Sequence, residues 1–384
     1  VAEVQHQARR TLAVAAVFIL ASPLAALAPH DTGLWLPLHL FLVGGVLSAI
    51  SGTSQLLAVT WSTAPAPSRR LAAEQRAGIV GGAVAIAVGR EIGSSAVIAI
   101  GGSALAAALA MLGAILWSVR HSAGTPRFRP AIDAYLLALA FGLVGVALGA
   151  TIAIDGGDWW DRLRGAHLIV NLFGLVGLTI VGTLPYFVAT QTRTKMSPRV
   201  SPFRQRALLL ALTIATATAT AGQLIAAPGL TAAGLSAWAL AMAGVVALLP
   251  SIHRRQLSWA GPRLVALFAG MAWWVVAAGA LALGADTGLE DQQRALLAVS
   301  VGGVAQIVVA SLAYLAPVLR GGGHQHLTAG FSATRSWVWV VAANTAAAAL
   351  LLDRSVLAAL ALAAWAIDVV VRSTLLLSAR RTSQ

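Results

Sequence analysis

His39 and His167 are the residues in this chain best suited to chemistry. Each stands near the start of a long apolar stretch, HLFLVGGVLSAISGTSQLLAVTW from His39 and HLIVNLFGLVGLTIVGTLPYFVATQ from His167, and the two stretches look related. An ionisable side chain inside a membrane is costly and usually has a partner or a ligand. Imidazole is also a preferred ligand for haem iron and copper. The pair therefore points to a haem or metal site near one membrane surface. On a helix, positions +4, +7, +11 and +18 share the starting residue's face. From His167 these are Asn171, Gly174, Leu178 and Pro185, a small and partly polar face that something can approach closely. From His39 they are Val43, Val46, Ile50 and Leu57, an apolar wall of the kind that lines a porphyrin slot. A second reading stands beside this one. Histidines at helix starts also serve as interfacial caps or bond to a neighbouring helix.

The elements that position these residues are membrane spans. The chain has 384 residues, 58% of them hydrophobic and 10% charged. Apolar runs of about 20 residues recur throughout, the length needed to cross the hydrocarbon core. The expected fold is an all-α integral membrane protein of twelve helices. They run over 11–28, 34–61, 71–89, 92–119, 131–154, 166–190, 205–226, 229–250, 261–284, 294–319, 335–352 and 355–379. Counting the N-terminus and every second connection as one side puts 21 of the 26 lysines and arginines there. By the positive-inside rule that side, with both termini, is cytoplasmic. The expected location is therefore the cytoplasmic membrane of a bacterium, and His39 and His167 share a depth in its outer third.

The first run, Thr11–Ala28, follows Arg9-Arg10 and ends in Ala26-Leu27-Ala28, as a signal peptide would. Pro29 follows at once and hinders cleavage, so the run is read as a retained first helix. Spans two, six and ten are each glycine-rich early. Spans six and ten also carry an aromatic residue and a proline late. This groups a single polytopic domain, 1–384, into three four-helix pseudo-repeats, 11–119, 131–250 and 261–379.

The remaining polar residues are weaker candidates. His30, in a short outer loop, is a possible third ligand or a solvent-exposed side chain. His324 and His326 form an H-x-H pair in a glycine-rich connection that could bind copper or simply be polar. The outer connections hold Asp155, Asp158 and Asp161 beside Trp159-Trp160, and Asp286, Glu290 and Asp291. They suit a solvated rim with an aromatic belt, or a docking face for a redox partner. Within the spans lie Gln55, Asn171, Gln223, Gln306, Asn344 and Asp368, the last four residues before Arg372 and thus placed for an intrahelical ion pair. Cysteine is absent, which excludes covalent haem attachment, cysteine-ligated iron–sulfur clusters and disulfides. No phosphate-binding loop, H-E-x-x-H or nucleotide fingerprint is present, and no aromatic-basic platform for nucleic acid accompanies the net charge of +13.

The strings LHLFLVGGVLSAISG, HLIVNLFGLVGLTIVGTLPYFVATQTRTKM and AQIVVASLAYLAPVLRGGG resemble a bacterial family. It is the polytopic membrane region that precedes cupredoxin domains in multicopper oxidase or copper nitrite reductase-like fusion proteins. More distantly, the chain is similar to subunit I of the haem-copper oxidases and to NnrS-type membrane proteins. The resemblance implies a b-type haem, or copper, held by His39 and His167, with Asn171 and Gly174 beside it. It also implies membrane quinol and an outer cupredoxin-type copper protein as partners. The adjacent His-His pair and the His-Pro-Glu segment of an oxygen-reducing copper centre are missing, which argues against a binuclear site. Three functions are expected from this: a haem-binding electron-transfer subunit, an oxidoreductase component if catalytic; a transporter for copper or a small solute; and a cofactor-free anchor for a copper enzyme.

Overall fold

The computed structural model describes residues 2–28, 31–124, 126–155, 157–284 and 289–378. Among them every secondary-structure element is a helix. Eleven helices are long and apolar enough to cross a membrane. They are α1 (Ala2–Leu27), α2 (Trp35–Ser62), α3 (Arg69–Glu91), α4 (Ser95–Ser122), α5 (Arg129–Ile154), α6 (Gly157–Thr192), α7 (Pro202–Leu224), α8 (Pro228–Ala247), α10 (Pro262–Leu283), α11 (Gln292–Arg320) and α14 (Ser355–Ser378). Between them lie the short helices α9 (Arg254–Ala260), α12 (Gly323–Ala333) and α13 (Val338–Leu351). The expected span 335–352 is thus a helix of only 14 residues. At 1.5 Å per residue it reaches about 21 Å, short of a hydrocarbon core of about 30 Å. His30, Asp286 and the side chains of Asp155, Glu290 and Asp291 lie outside the described residues.

The chain divides into two compact units, residues 1–183 with 202–234, and residues 184–201 with 235–384. In the first unit the helices approach through small residues, as membrane helices without a hydrophobic driving force must. A Cβ on Gly82 would lie 2.8 Å from the carbonyl oxygen of Gly101, and one on Gly101 would lie 2.8 Å from the amide of Ile86. This makes α3 and α4 a close antiparallel pair. α1 packs on α2 through Leu12, Ala15 and Phe18, all buried.

Among the described residues, the polar contacts between connections join alternate ones. In the first unit Arg69 pairs with Glu3 at 2.7 Å, and Asp133 receives Arg120 at 2.6 Å and Arg206 at 3.3 Å, all at one arginine-rich end. At the other end Thr32 bonds Glu91, and the Arg90 guanidinium lies 5.9 Å from the Trp35 ring centre. In the second unit Arg335 bonds the Ser258 carbonyl at one end, and Arg294 pairs with Asp353 at 3.1 Å at the other.

Three helices contain a seven-residue π-helical segment: Leu40–Val46 in α2, Val170–Val176 in α6 and Val299–Ala305 in α11. A π turn inserts an extra residue and is rare except as a local feature, often at functional sites. The segments begin at residues 40, 170 and 299, thus 130 and 129 residues apart. Each contains glycine, and a ring from the preceding long helix packs against it. Phe18 meets Gly44, Phe141 meets Gly174, and Trp273 meets Gly302.

Candidate cofactor site

His39 is the last residue before the first π segment, and His167 lies three residues before the second. Both belong to the first unit, and both stand at its arginine-poor end. The corresponding stretch before the third segment, Arg294–Ala298, has no histidine. Both residues are half-buried. The His167 imidazole acts electrostatically on His39.

The hydrogen bonds fix the tautomers. His167 Nδ1 lies 2.8 Å from the carbonyl oxygen of Gly145 on α5. A carbonyl only accepts, so Nδ1 carries the proton and the neutral ring keeps its lone pair on Nε2. Asn171 Nδ2 is 3.4 Å from the same Nδ1, but both are donors there, and Nδ2 donates instead to the His167 carbonyl at 2.8 Å. His39 Nδ1 donates to the Trp35 carbonyl at 2.9 Å, and its ring stacks on Trp35 at 3.8 Å between centres. Arg90 covers the Trp35 ring in turn.

The two bonds differ in weight. His121, an exposed residue, makes the same bond to the Trp117 carbonyl one turn earlier at 2.9 Å. The His39 bond is therefore a local habit of a W-x-x-x-H helix. The His167 bond crosses to another helix, and two glycines permit it. A Cβ on Gly149 would lie 2.9 Å from His167 Cε1, and one on Gly145 would collide with the Asn171 amide. Such bonds from Nδ1 to a carbonyl are what orient metal-ligating histidines and raise their basicity.

The small face beside His167 is used differently from the expectation. Gly174 is buried, and a Cβ there would lie 2.6 Å from the Phe141 ring. What approaches closely along Asn171 and Gly174 is α5, so this face holds the helix pair together. Gly174 therefore lies under Phe141 and offers no open edge to a ligand. Asn171 serves the helix backbone at His167.

The H-x-H pair also needs correction. His324 and His326 are exposed on α12, a helix where a flexible loop was expected. Residues two apart on a helix point to different faces, so the pair cannot converge on one ion. No group of three or more histidine, cysteine or carboxylate side chains that could hold a metal occurs among the described residues.

The other polar residues are mostly accounted for. Gln306 is fully buried and donates to the Gly302 carbonyl inside the third π segment at 3.0 Å. Asn344 donates to Gln306 at 2.8 Å and accepts from Trp273 Nε1 at 2.8 Å. Gln55 joins Ser51 and Gln75 in a second buried network, through a 3.1 Å bond to Ser51 and a 2.8 Å bond from Ser51 to Gln75. Gln223 packs against Gly165, and Asp368 pairs with Arg372 at 3.3 Å as its spacing predicts. Trp159 and Trp160 are 55% and 43% exposed, each near its own arginine, Arg162 and Arg164. They are outside any core.

Sequence reasoning did not single out Gly145, Gly149 or Trp35. The glycines carry a signal, a small-xxx-small pair in span five of the kind that lets membrane helices touch. Trp35 has none beyond its spacing of four from His39. No protein-family model matches the chain, and no curated protein matches it.

Proposed function

We propose that the chain is a haem-binding electron-transfer subunit of a bacterial cytoplasmic membrane, in which His39 and His167 would hold a b-type haem. The observation that carries this reading is the interhelical bond from His167 Nδ1 to the Gly145 carbonyl. It presents Nε2 as a lone pair, the form that ligates iron. His39 is held in the same tautomer and within electrostatic reach. Two protein ligands are enough where a porphyrin supplies the other four. The donor set thus fits haem better than a protein-only copper site, which needs more ligands than the described residues gather.

Haem bound there would supply a one-electron carrier. The chain's own residues would do the positioning. The Gly145 carbonyl fixes one ring, the Trp35 carbonyl and indole fix the other, and Gly149 leaves room for the His167 imidazole against α5. Quinol is the proposed donor. An outer copper protein is the proposed acceptor, meeting the exposed Asp158, Trp159 and Asp161 at the start of α6, the helix that carries His167.

The alternation of contacts between connections supports twelve crossings, with the 14-residue α13 crossing where the bilayer thins around it, and both termini on the arginine-rich, cytoplasmic side. The three π segments and their ring-on-glycine contacts support three four-helix repeats. The test is the optical spectrum of the purified protein. A Soret band lost in His39→Ala and in His167→Ala is expected. A wild type reconstituted with haem that shows no such band contradicts the reading.

A further inference from the structure

We infer that the second unit carries a phosphate-binding site at the start of α10, built on Arg263. The inference is independent of the haem reading, since all its residues belong to the second unit. Arg263 is 6% exposed, yet its Nε and Nη2 have no hydrogen-bond partner. The indole Nε1 of Trp259 is likewise buried without one. A guanidinium is a fork of in-plane donors, and leaving such donors unmade in a buried site is costly.

The surroundings hold the cation without satisfying those donors. The Arg263 guanidinium carbon lies 4.4 Å from the Phe331 ring centre, 5.6 Å from Tyr314 and 5.8 Å from Trp259. Ring faces attract a cation, but they do not replace acceptors in the guanidinium plane. Two more arginines add charge. Arg193 lies 3.5 Å from the Trp259 ring centre, and Arg335 donates from both terminal nitrogens to the Ser258 carbonyl at 3.1 Å. Both act electrostatically on Arg263. Among the described residues no carboxylate pairs with any of the three. One buried cation with two exposed ones beside it calls for an anion.

The backbone admits Arg335 and leaves the donors to side chains. Gly261 has φ +59°, and a Cβ there would lie 3.0 Å from the Arg335 guanidinium carbon. Pro262 follows it and has no N–H, and the amides of Leu264 and Val265 both turn back to the Gly261 carbonyl. The first turn of α10 therefore offers few free amides. The side chains supply the donors, and the positive end of the helix adds to the field. A phosphate group suits this arrangement, because it takes several donors at once and carries the charge to balance more than one arginine. It could come from an acidic phospholipid headgroup or from a free phosphate compound.

The test is calorimetric titration of the intact, delipidated protein in detergent with inorganic phosphate and, separately, with short-chain phosphatidic acid. Saturable binding of either probe is expected. Binding of phosphate assigns a free anion, and binding of phosphatidic acid alone assigns a lipid headgroup. Arg263→Gln should weaken binding about tenfold or more, the loss of a charged hydrogen-bond pair. Arg70→Gln, at an exposed arginine of the other unit, should leave it unchanged. Trp259→Phe keeps the ring and removes the indole donor. It should weaken binding measurably, and it carries the test if Arg263→Gln does not fold. No saturable binding of either probe overturns the proposal. So does wild-type binding by the folded variants.

Discussion

At the scale of the residue, the His167 ring depends on a carbonyl and a missing side chain on another helix. A Cβ on Gly149 would press on the ring at 2.9 Å, while a Cβ on Gly279 would meet nothing within 4 Å. Gly149→Val should therefore displace the imidazole and abolish haem retention. Gly279→Ala should leave both spectrum and thermal stability at wild-type values. Asn171→Leu removes the bond to the His167 carbonyl and should cost about 1 kcal/mol of stability, read from a denaturation midpoint. The two histidines were legible in the sequence because ionisable residues are rare in apolar runs. The partners of His167 were not, because a glycine pair announces a close approach without naming the helix that makes it. His324 and His326 were misread because glycines that resemble a flexible loop start a helix at Gly323.

At the scale of the element, the π segments are the common device. Gln306 shows how one is held, since it donates to the Gly302 carbonyl and receives Asn344. Gln306→Leu removes the bond to that carbonyl and the buried acceptor of Asn344, and should cost about 1–3 kcal/mol, measured as a lower thermal midpoint in detergent. Deleting Leu172 should convert the second segment to α-helix. The part of α6 before the deletion then keeps nearly the same facing, because six α-helical residues wind about as far as seven π-helical ones, and the axial shift should stretch the His167–Gly145 bond and weaken haem retention. Retention of the wild-type spectrum by this deletion, with the fold intact, would remove the π segment from the account. The kinship of spans two, six and ten was visible in their early glycines. The extra residue of the π turn was not, because it alters hydrogen-bond register and leaves composition unchanged.

At the scale of the whole molecule, hydropathy and the placement of arginine sufficed to read a helical membrane protein. They overstated one span, because the apolar run at 335–352 includes Ser336 and Trp337 ahead of a helix that starts only at Val338. The chain has no cysteine, so single cysteines can report sidedness without background. Cysteines at positions 127, 199 and 325 should label from the cytoplasmic face, and those at 158 and 353 from the opposite face. A mixed pattern contradicts twelve crossings. The central claim, that His39 and His167 hold one haem, is tested most directly by absorption and electron paramagnetic resonance spectra of the purified whole chain and its two alanine variants. The account predicts a low-spin bis-histidine signature in the wild type, and its loss in both His39→Ala and His167→Ala while their helical content is unchanged. A wild-type spectrum retained by both variants would contradict it.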